Sequence, residues 1–113
     1  MWLHISSMDF DPAFRALADA SRRELLDRLF EKNGQTLGEL CAGLDMSRQA
    51  VTKHLAILEE ANLMATLRRG REKLHYLNPA PIQAIAERWI RKYERGRIRV
   101  LSELKKVLEA DDE

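Results

Sequence analysis

Residues 46–63 constrain the fold of this 113-residue chain more than any other stretch. Val51, Leu55 and Leu58 follow one another at helical spacing, which aligns them on one face. Ser47 before them is a typical N-cap, because its hydroxyl can accept from the free amides of a first turn. The opposite face starts with polar and cationic side chains, Ser47, Arg48, Gln49, Thr52 and Lys53, while His54 lies at the edge of the buried stripe, where packing or phosphate contact is expected before base reading. The pattern predicts a helix over 47–61 with one buried stripe and a basic, amide-bearing N-terminal end.

Shorter helices are predicted before this stretch. Asp11 and Pro12 are typical of an N-cap followed by proline, and they predict a helix to about residue 18 that buries Phe14 and Leu17, with Phe10 a further candidate. The next helix begins at Asp19 or Ser21, with Ser21 and Glu24 as a capping box. Its predicted apolar face consists of Leu25, Leu26, Leu29 and Phe30, and Asn33-Gly34 ends it.

Thr36 and Glu39 form a second capping box directly before the 46–63 stretch. They open a helix whose predicted inward residues are Leu37, Leu40, Cys41 and Leu44. Because a tight turn at Asp45 and Met46 follows, the two helices are predicted to form a helix-turn-helix.

After residue 63 the hydrophobic pattern alternates, which is typical of strands. Two runs, 64–69 and 72–77, flank Gly70, a residue that supplies the positive φ of a tight hairpin. The alternation predicts Ala65, Leu67, Leu74 and Tyr76 on the core side. It leaves Thr66, Arg68, Lys73 and His75 facing out.

The hairpin carries a cluster of cations at its tip: Arg68, Arg69, Arg71 and Lys73. Contact with phosphates would explain this cluster of cations, because each neutralised phosphate releases counterions and thereby strengthens binding. The alternative is an edge hairpin whose charges only prevent aggregation. A helix-turn-helix followed directly by a basic hairpin is a winged helix, and this conjunction favours double-stranded DNA as the partner. The recognition helix would lie in the major groove, with the wing, 64–77, on the backbone.

The last element is a long helix that starts near Asn78-Pro79-Ala80-Pro81, with a kink or break possible at Gly96. Its apolar face is too large for a small winged helix to cover. It either folds back on the first helix or, as we favour, pairs with a second copy in a two-fold homodimer. The predicted dimer residues are Phe14, Ile85, Trp89, Ile90, Tyr93, Val100, Leu101 and Leu104. Trp89 and Tyr93 would otherwise belong to the intrachain core.

The chain is therefore predicted to be mainly α (α+β), a winged helix-turn-helix with a two-stranded wing and a long C-terminal dimerisation helix. We expect one compact domain: an N-terminal arm (1–10), the winged helix (11–78), and the dimerisation helix with an acidic tail (79–113). The net charge of +1 gives no global attraction to nucleic acid, so the local distribution of charge matters more. A single cysteine, no membrane-length apolar run and no signal peptide favour a cytoplasmic protein without contact to membranes.

Several segments together resemble the ArsR-type winged-helix transcriptional repressors. They are Leu17-Ala-Asp-Ala-Ser-Arg-Arg-Glu-Leu-Leu, Leu37-Gly-Glu-Leu, Met46-Ser-Arg-Gln-Ala-Val-Thr-Lys-His-Leu, Leu58-Glu-Glu-Ala-Asn-Leu and Arg69-Gly-Arg71. The resemblance implies a homodimer that occupies a palindromic operator and blocks transcription. It also implies that residues 47–49, 52–54, Arg69 and Arg71 occupy DNA-facing positions.

The chain departs from the metal-sensing members of that family. They carry Glu-Leu-Cys-x-Cys-Asp-Leu, whereas Glu39-Leu-Cys-Ala-Gly-Leu44 lacks the second thiol and the acid. One thiolate cannot hold zinc alone, so we expect no metal and no cofactor, with Cys41 as a small buried residue or a lone redox thiol. A winged helix that binds protein or RNA is the alternative function. An enzyme is weakly supported, because no nucleophile–base pair or phosphate-cradling loop is visible. The sequence does not indicate an operator or an inducer.

Overall fold

The computed structural model describes residues 9–111 and contains five helices and two strands in that range. In chain order they are α1 (Asp11–Leu17), α2 (Ala20–Glu31), α3 (Leu37–Cys41), α4 (Arg48–Glu60), β1 (Met64–Arg69), β2 (Glu72–Leu77) and α5 (Ala80–Asp111). The predicted fold class, mainly helical with a two-stranded wing and a long last helix, is confirmed. Residues 1–8 of the predicted arm and the last two residues of the acidic tail lie outside the described part. The chain divides into two compact units between Ile82 and Gln83.

Side-chain caps define the starts of three helices. The predicted capping box of Thr36 and Glu39 is present, and Ser47 caps α4 by accepting from the amide of Ala50 at 3.1 Å. Asp19 caps α2, with its carboxylate 2.8 Å from the amide of Ser21. The predicted Ser21–Glu24 box is therefore wrong, because the N-cap is Asp19 and Ser21 already lies within the first turn of α2.

The prediction that Asp11 caps α1 is also wrong by one residue. Helix α1 begins at Asp11 itself, and Phe10 is its N-cap without a side-chain bond. The amide of Asp11 instead donates to the carboxylate of Asp9 at 2.9 Å. Pro12 remains within the first turn, where its missing N–H has no cost.

The core of the first unit lies between α1, α2, α3, α4 and the start of the wing. Its fully buried side chains include Leu25, Leu29, Leu40, Val51, Leu58 and Leu63. Helix α1 contributes Ala13 and Ala16 rather than its aromatic residues. The small alanines permit close approach of the helix, so the larger neighbours are directed outward.

Several predicted core residues are accordingly not buried. Phe14 is 44% exposed and Phe30 is 76% exposed. Five others are only half-buried: Phe10, Leu17, Leu37, Cys41 and Leu44. Phe14 on α1, Phe30 on α2 and the Cys41 thiol on α3 were predicted to be buried, and these predictions are wrong. Each of these helices buries only some of its apolar residues.

The wing is an antiparallel hairpin with the predicted bounds, and Gly70 at its turn has φ +64°. Its orientation differs from the prediction. His75 is 4% exposed instead of facing out, whereas Leu67 is 57% exposed and Ala65 is exposed instead of packing inward. Met64 and Leu74 are buried, so parts of both faces are covered.

The wing is oriented by a bridge between β2 and Gln35. The backbone carbonyl of Gln35 accepts from the amide of His75 at 2.8 Å and lies 2.8 Å from its ring Nδ1. The carbonyl of His75 accepts in return from the amide of Gly34 at 2.8 Å. Gly34 has φ +82°, and a Cβ there would lie 3.2 Å from the Tyr76 hydroxyl, so glycine is required. Gln35 thus covers one side of β2, and β1 is left as the exposed edge.

Helix α5 is a single 32-residue helix that runs through Gly96 without interruption. None of the helices in residues 9–111 combines the length and apolarity needed to cross a bilayer.

Leu58→Ala should lower the free energy of unfolding by about 2–5 kcal/mol, because it removes a fully buried side chain and leaves a cavity. Ile57→Ala is the matched control, since Ile57 adjoins it on α4 but is 39% exposed. Its effect should be less than half as large. Urea unfolding followed by circular dichroism measures both. Equal losses would contradict an orientation of α4 that buries Leu58 and exposes Ile57.

Candidate nucleic-acid interface

Helix α4 presents the predicted recognition residues to solvent. Val51 and Leu58 are fully buried and Leu55 is 5% exposed, which sets the rotation of the helix. The side chains on the other face are exposed, namely Ser47, Arg48, Gln49, Thr52 and Lys53. This face carries an amide and a guanidinium, the groups able to make paired hydrogen bonds with adenine and guanine edges in a major groove.

The two hydroxyls on α4 are not equivalent. The Ser47 oxygen accepts from the amide of Ala50, so its own proton remains available for donation. The Thr52 hydroxyl donates to the carbonyl of Arg48 at 2.9 Å. Because a phosphate oxygen only accepts, Ser47 is suited to a phosphate contact and Thr52 is not unless this bond breaks.

His54 is half-buried and is positioned by Arg22 of α2. The Arg22 Nη1 atom lies 3.3 Å from Nδ1 of His54. A guanidinium only donates, so Nδ1 accepts and the ring proton lies on Nε2. Two carbonyls of α1 fix Arg22 in turn: Nε donates to Ala16 at 2.8 Å and Nη2 to Arg15 at 3.1 Å. His54 is therefore part of the packing between helices, with Nε2–H left to donate.

The wing concentrates like charges that the fold itself does not neutralise. In the hairpin register Arg68 is directly opposite Lys73, a pairing that is destabilising between strands. Arg69 is opposite Glu72 on the other face. Within residues 9–111, no ion pair includes a wing cation. An external anion would relieve this repulsion.

An open groove of about 350 Å³ brings α4 and the wing together. Arg48 of α4 lines it together with Arg71 and Lys73 of the wing. The beginning of α3, from Thr36 to Gly38, forms another wall. No local pattern in the sequence indicates this wall, because the start of α3 comes beside the hairpin only in the folded chain. Gln49, Lys53, Arg68 and Arg69 do not line this groove.

The predicted dimer residues fall into three groups. On α5, Ile90, Tyr93, Val100, Leu101 and Leu104 are at least half exposed, and Val107 and Leu108 extend the same stripe. Ile85 and Trp89 are half-buried, and the Arg88 guanidinium lies 5.3 Å from the Trp89 ring. Phe14, in the other unit, stacks edge-on against Phe10 with ring centroids 6.5 Å apart.

No group of three or more potential metal ligands exists among the residues that the structure describes.

Comparisons with known proteins agree on one kind of protein. Residues 17–66 match a family described as a helix-turn-helix domain. The HTH-type transcriptional regulator YuzN of Bacillus subtilis (strain 168) is 38% identical over 86 residues, covering 71% of this chain and 94% of that protein. The transcriptional repressor SdpR of the same bacterium is 30% identical over 70 residues, covering 62% of this chain and 77% of that protein. The solved structure of an ArsR-like transcriptional regulator from Rhodococcus sp. RHA1 matches with a TM-score of 0.70 and 30% identity, covering 87% of this chain and 91% of that chain.

The cap at Asp19 should make stability depend on acid pH. The amide of Arg22 and the nearby Arg22 charge hold the pKa of this carboxyl below its ordinary value. A lowered folded-state pKa stabilises the protein fully above the unfolded value of about 3.9, and this contribution is lost as pH falls through the folded value. Asp19→Asn keeps a neutral cap without the charge. At neutral pH we expect the variant to unfold at a lower urea concentration than the wild type. The difference between the two unfolding midpoints should disappear in acid. A difference in midpoint that does not depend on pH would contradict the role of the Asp19 charge in the cap.

Proposed function

The chain belongs to the ArsR-type family of helix-turn-helix transcriptional regulators, and from this membership we propose that it is a cytoplasmic homodimeric repressor of a palindromic operator. In this proposal the protein binds double-stranded DNA and blocks transcription by occupying the site. The name of the relative SdpR supports the assignment as a repressor.

One observation carries the proposal of DNA binding: Arg48 of α4 and the wing cations Arg71 and Lys73 line a common groove. Base-reading and phosphate-binding groups are thereby close together on one surface. Helix α4 would enter the major groove, where Arg48 is suited to guanine and Gln49 to adenine. The wing cations, Ser47 and Lys53 would position the protein on the phosphates.

Helix α5 supports the proposal of a homodimer. Exposed apolar residues from Ile90 to Leu108 recur at helical spacing, with Arg97 interrupting the stripe between Tyr93 and Val100. Exposed apolar surface of this extent is typical of a site that binds another protein. A two-fold pair would present two recognition helices to two half-sites of one duplex.

Selection of bound sequences from a random pool of duplexes should recover an inverted repeat. On that operator, Gln49→Ala should lose about 1–3 kcal/mol of discrimination at one position of each half-site. Arg71→Ala should weaken binding to all sequences alike. It should also make the slope of log affinity against log salt concentration shallower, by about the amount that one phosphate contact per chain contributes.

Lys105→Ala is the control, because this lysine lies in the other unit and contacts Glu109 at 3.9 Å. Its affinity and salt dependence should equal those of the wild type. Equal affinity for every duplex, or affinity that does not change with salt, would refute the proposed interface.

Leu104→Glu should convert the dimer to a monomer, because it places a carboxylate in the apolar stripe of α5. Ser102→Glu adds the same charge two residues earlier, on the opposite face of the helix. We expect sedimentation equilibrium to give the mass of one chain for Leu104→Glu and of two chains for Ser102→Glu. A monomeric wild type, or two variants that dissociate alike, would exclude this dimer interface.

A further inference from the structure

A separate cleft of about 230 Å³ lies between α4 and the wing. Its apolar walls come from α3, α4 and β1, namely Leu37, Leu55, Ala56 and Met64. Its polar lining consists of Thr52, Glu59, Lys73 and His75. Since an apolar cavity of about 150 Å³ can hold benzene, this cleft has room for one substituted ring.

His75 gives the cleft a defined hydrogen-bonding group. The side chain is 4% exposed, and its Nδ1 lies 2.8 Å from the backbone carbonyl of Gln35. A carbonyl only accepts, so Nδ1 carries the proton and donates. In the neutral ring, Nε2 then has a lone pair and is an acceptor.

The Nε2 atom is open to a ligand. No group within residues 9–111 forms a hydrogen bond with Nε2, whereas Nδ1 is bonded to Gln35. No fully buried side-chain nitrogen or oxygen in that range lacks a partner, so Nε2 must keep some accessible surface. His75 is among the residues that line the cleft, and in the site inferred below its Nε2 supplies the acceptor.

The other polar groups of the cleft are already engaged or lie at its edge. The Thr52 proton is donated to Arg48, and one oxygen of Glu59 accepts from the Thr66 hydroxyl at 3.0 Å. Lys73 is exposed. Apart from the second oxygen of Glu59, which belongs to an exposed side chain, Nε2 of His75 is the acceptor that the lining leaves for a ligand.

We infer that this cleft is an effector site for single-ring phenols. The ring packs against Leu55 and Met64, whose thioether contacts aromatic rings favourably. The hydroxyl donates to Nε2 of His75. An apolar wall with one acceptor selects a ring that carries a donor over a ring that carries none.

The consequence for DNA rests on the proposed function. Leu37 and Lys73 line both this cleft and the groove that Arg48 and Arg71 share. A molecule held between them engages Lys73 and restrains the wing, so phenol and DNA oppose each other's binding. Because binding equilibria are reciprocal, DNA must weaken phenol binding by the same factor.

The test uses the full chain labelled with ¹³C at its methionine methyls. Phenol should shift the Met64 methyl resonance with a dissociation constant in the millimolar range, as expected for so small a ligand. Met46 does not line the cleft and should not shift. Toluene, which lacks the donor, should bind about threefold to tenfold more weakly.

Two variants isolate the site. Ala56→Leu fills the cleft from an exposed helical position and should abolish the shift, whereas Ala56→Ser leaves the cleft open and should preserve it. His75→Asn keeps a donor for the Gln35 carbonyl but removes Nε2, and it should bind phenol and toluene equally. Saturating phenol should lower the affinity of the wild type for its selected duplex at least threefold, and that of Ala56→Leu not at all.

An unchanged Met64 resonance, or an equal shift in Ala56→Leu, would overturn the site. Equal binding of toluene by the wild type would overturn the role of His75. Binding of phenol without loss of DNA affinity would overturn the effector role. If the chain bound no duplex, the proposed function would fail, but the methyl titration would still decide whether the site exists.

Discussion

The packing of one stripe of α4 is the constraint on which the rest of the structure depends. Val51 and Leu58 are fully buried, and burial of such side chains contributes roughly 1.5–3 kcal/mol each. Rotating α4 far enough to hide Arg48 and Gln49 would expose that stripe and bury unpaired polar groups. The same packing energy that stabilises the domain therefore keeps the N-terminal end of α4 available to a partner.

The wing tolerates repulsion at its tip because it is attached at its base. Opposition of Arg68 and Lys73 costs on the order of 0.2–1 kcal/mol. The paired backbone bonds between Gln35 and His75, together with burial of Met64 and Leu74, lie toward the other end of the hairpin and offset that cost. Stability and charge are thus separated along the length of the wing. Lys73 belongs to both proposed sites, because it lines the groove for phosphate contacts and the effector cleft.

Helix α5 has a different physical character from the first unit. At 32 residues it extends about 48 Å, and its apolar stripe is exposed along most of that length. Arg97 lies within the stripe, between Tyr93 and Val100, so a partner helix must accommodate one cation amid apolar neighbours. A buried cation costs free energy unless it finds a carboxylate. Such a residue constrains which alignments of two helices are compatible with the proposed dimer.

Local interactions explain what the sequence by itself determined. The capping box of Thr36 and Glu39, the cap at Ser47, the stripe of α4 and the bounds of the hairpin around Gly70 depend on residues a few positions apart. All are present as predicted. The tertiary structure decided which side of each element is covered. His75 is buried because Gln35, 40 positions earlier, supplies a carbonyl for it, and Phe14 and Phe30 are exposed although each fits the apolar pattern of its helix. An alternating or helical pattern defines two faces, but only contacts between distant segments select the one that packs.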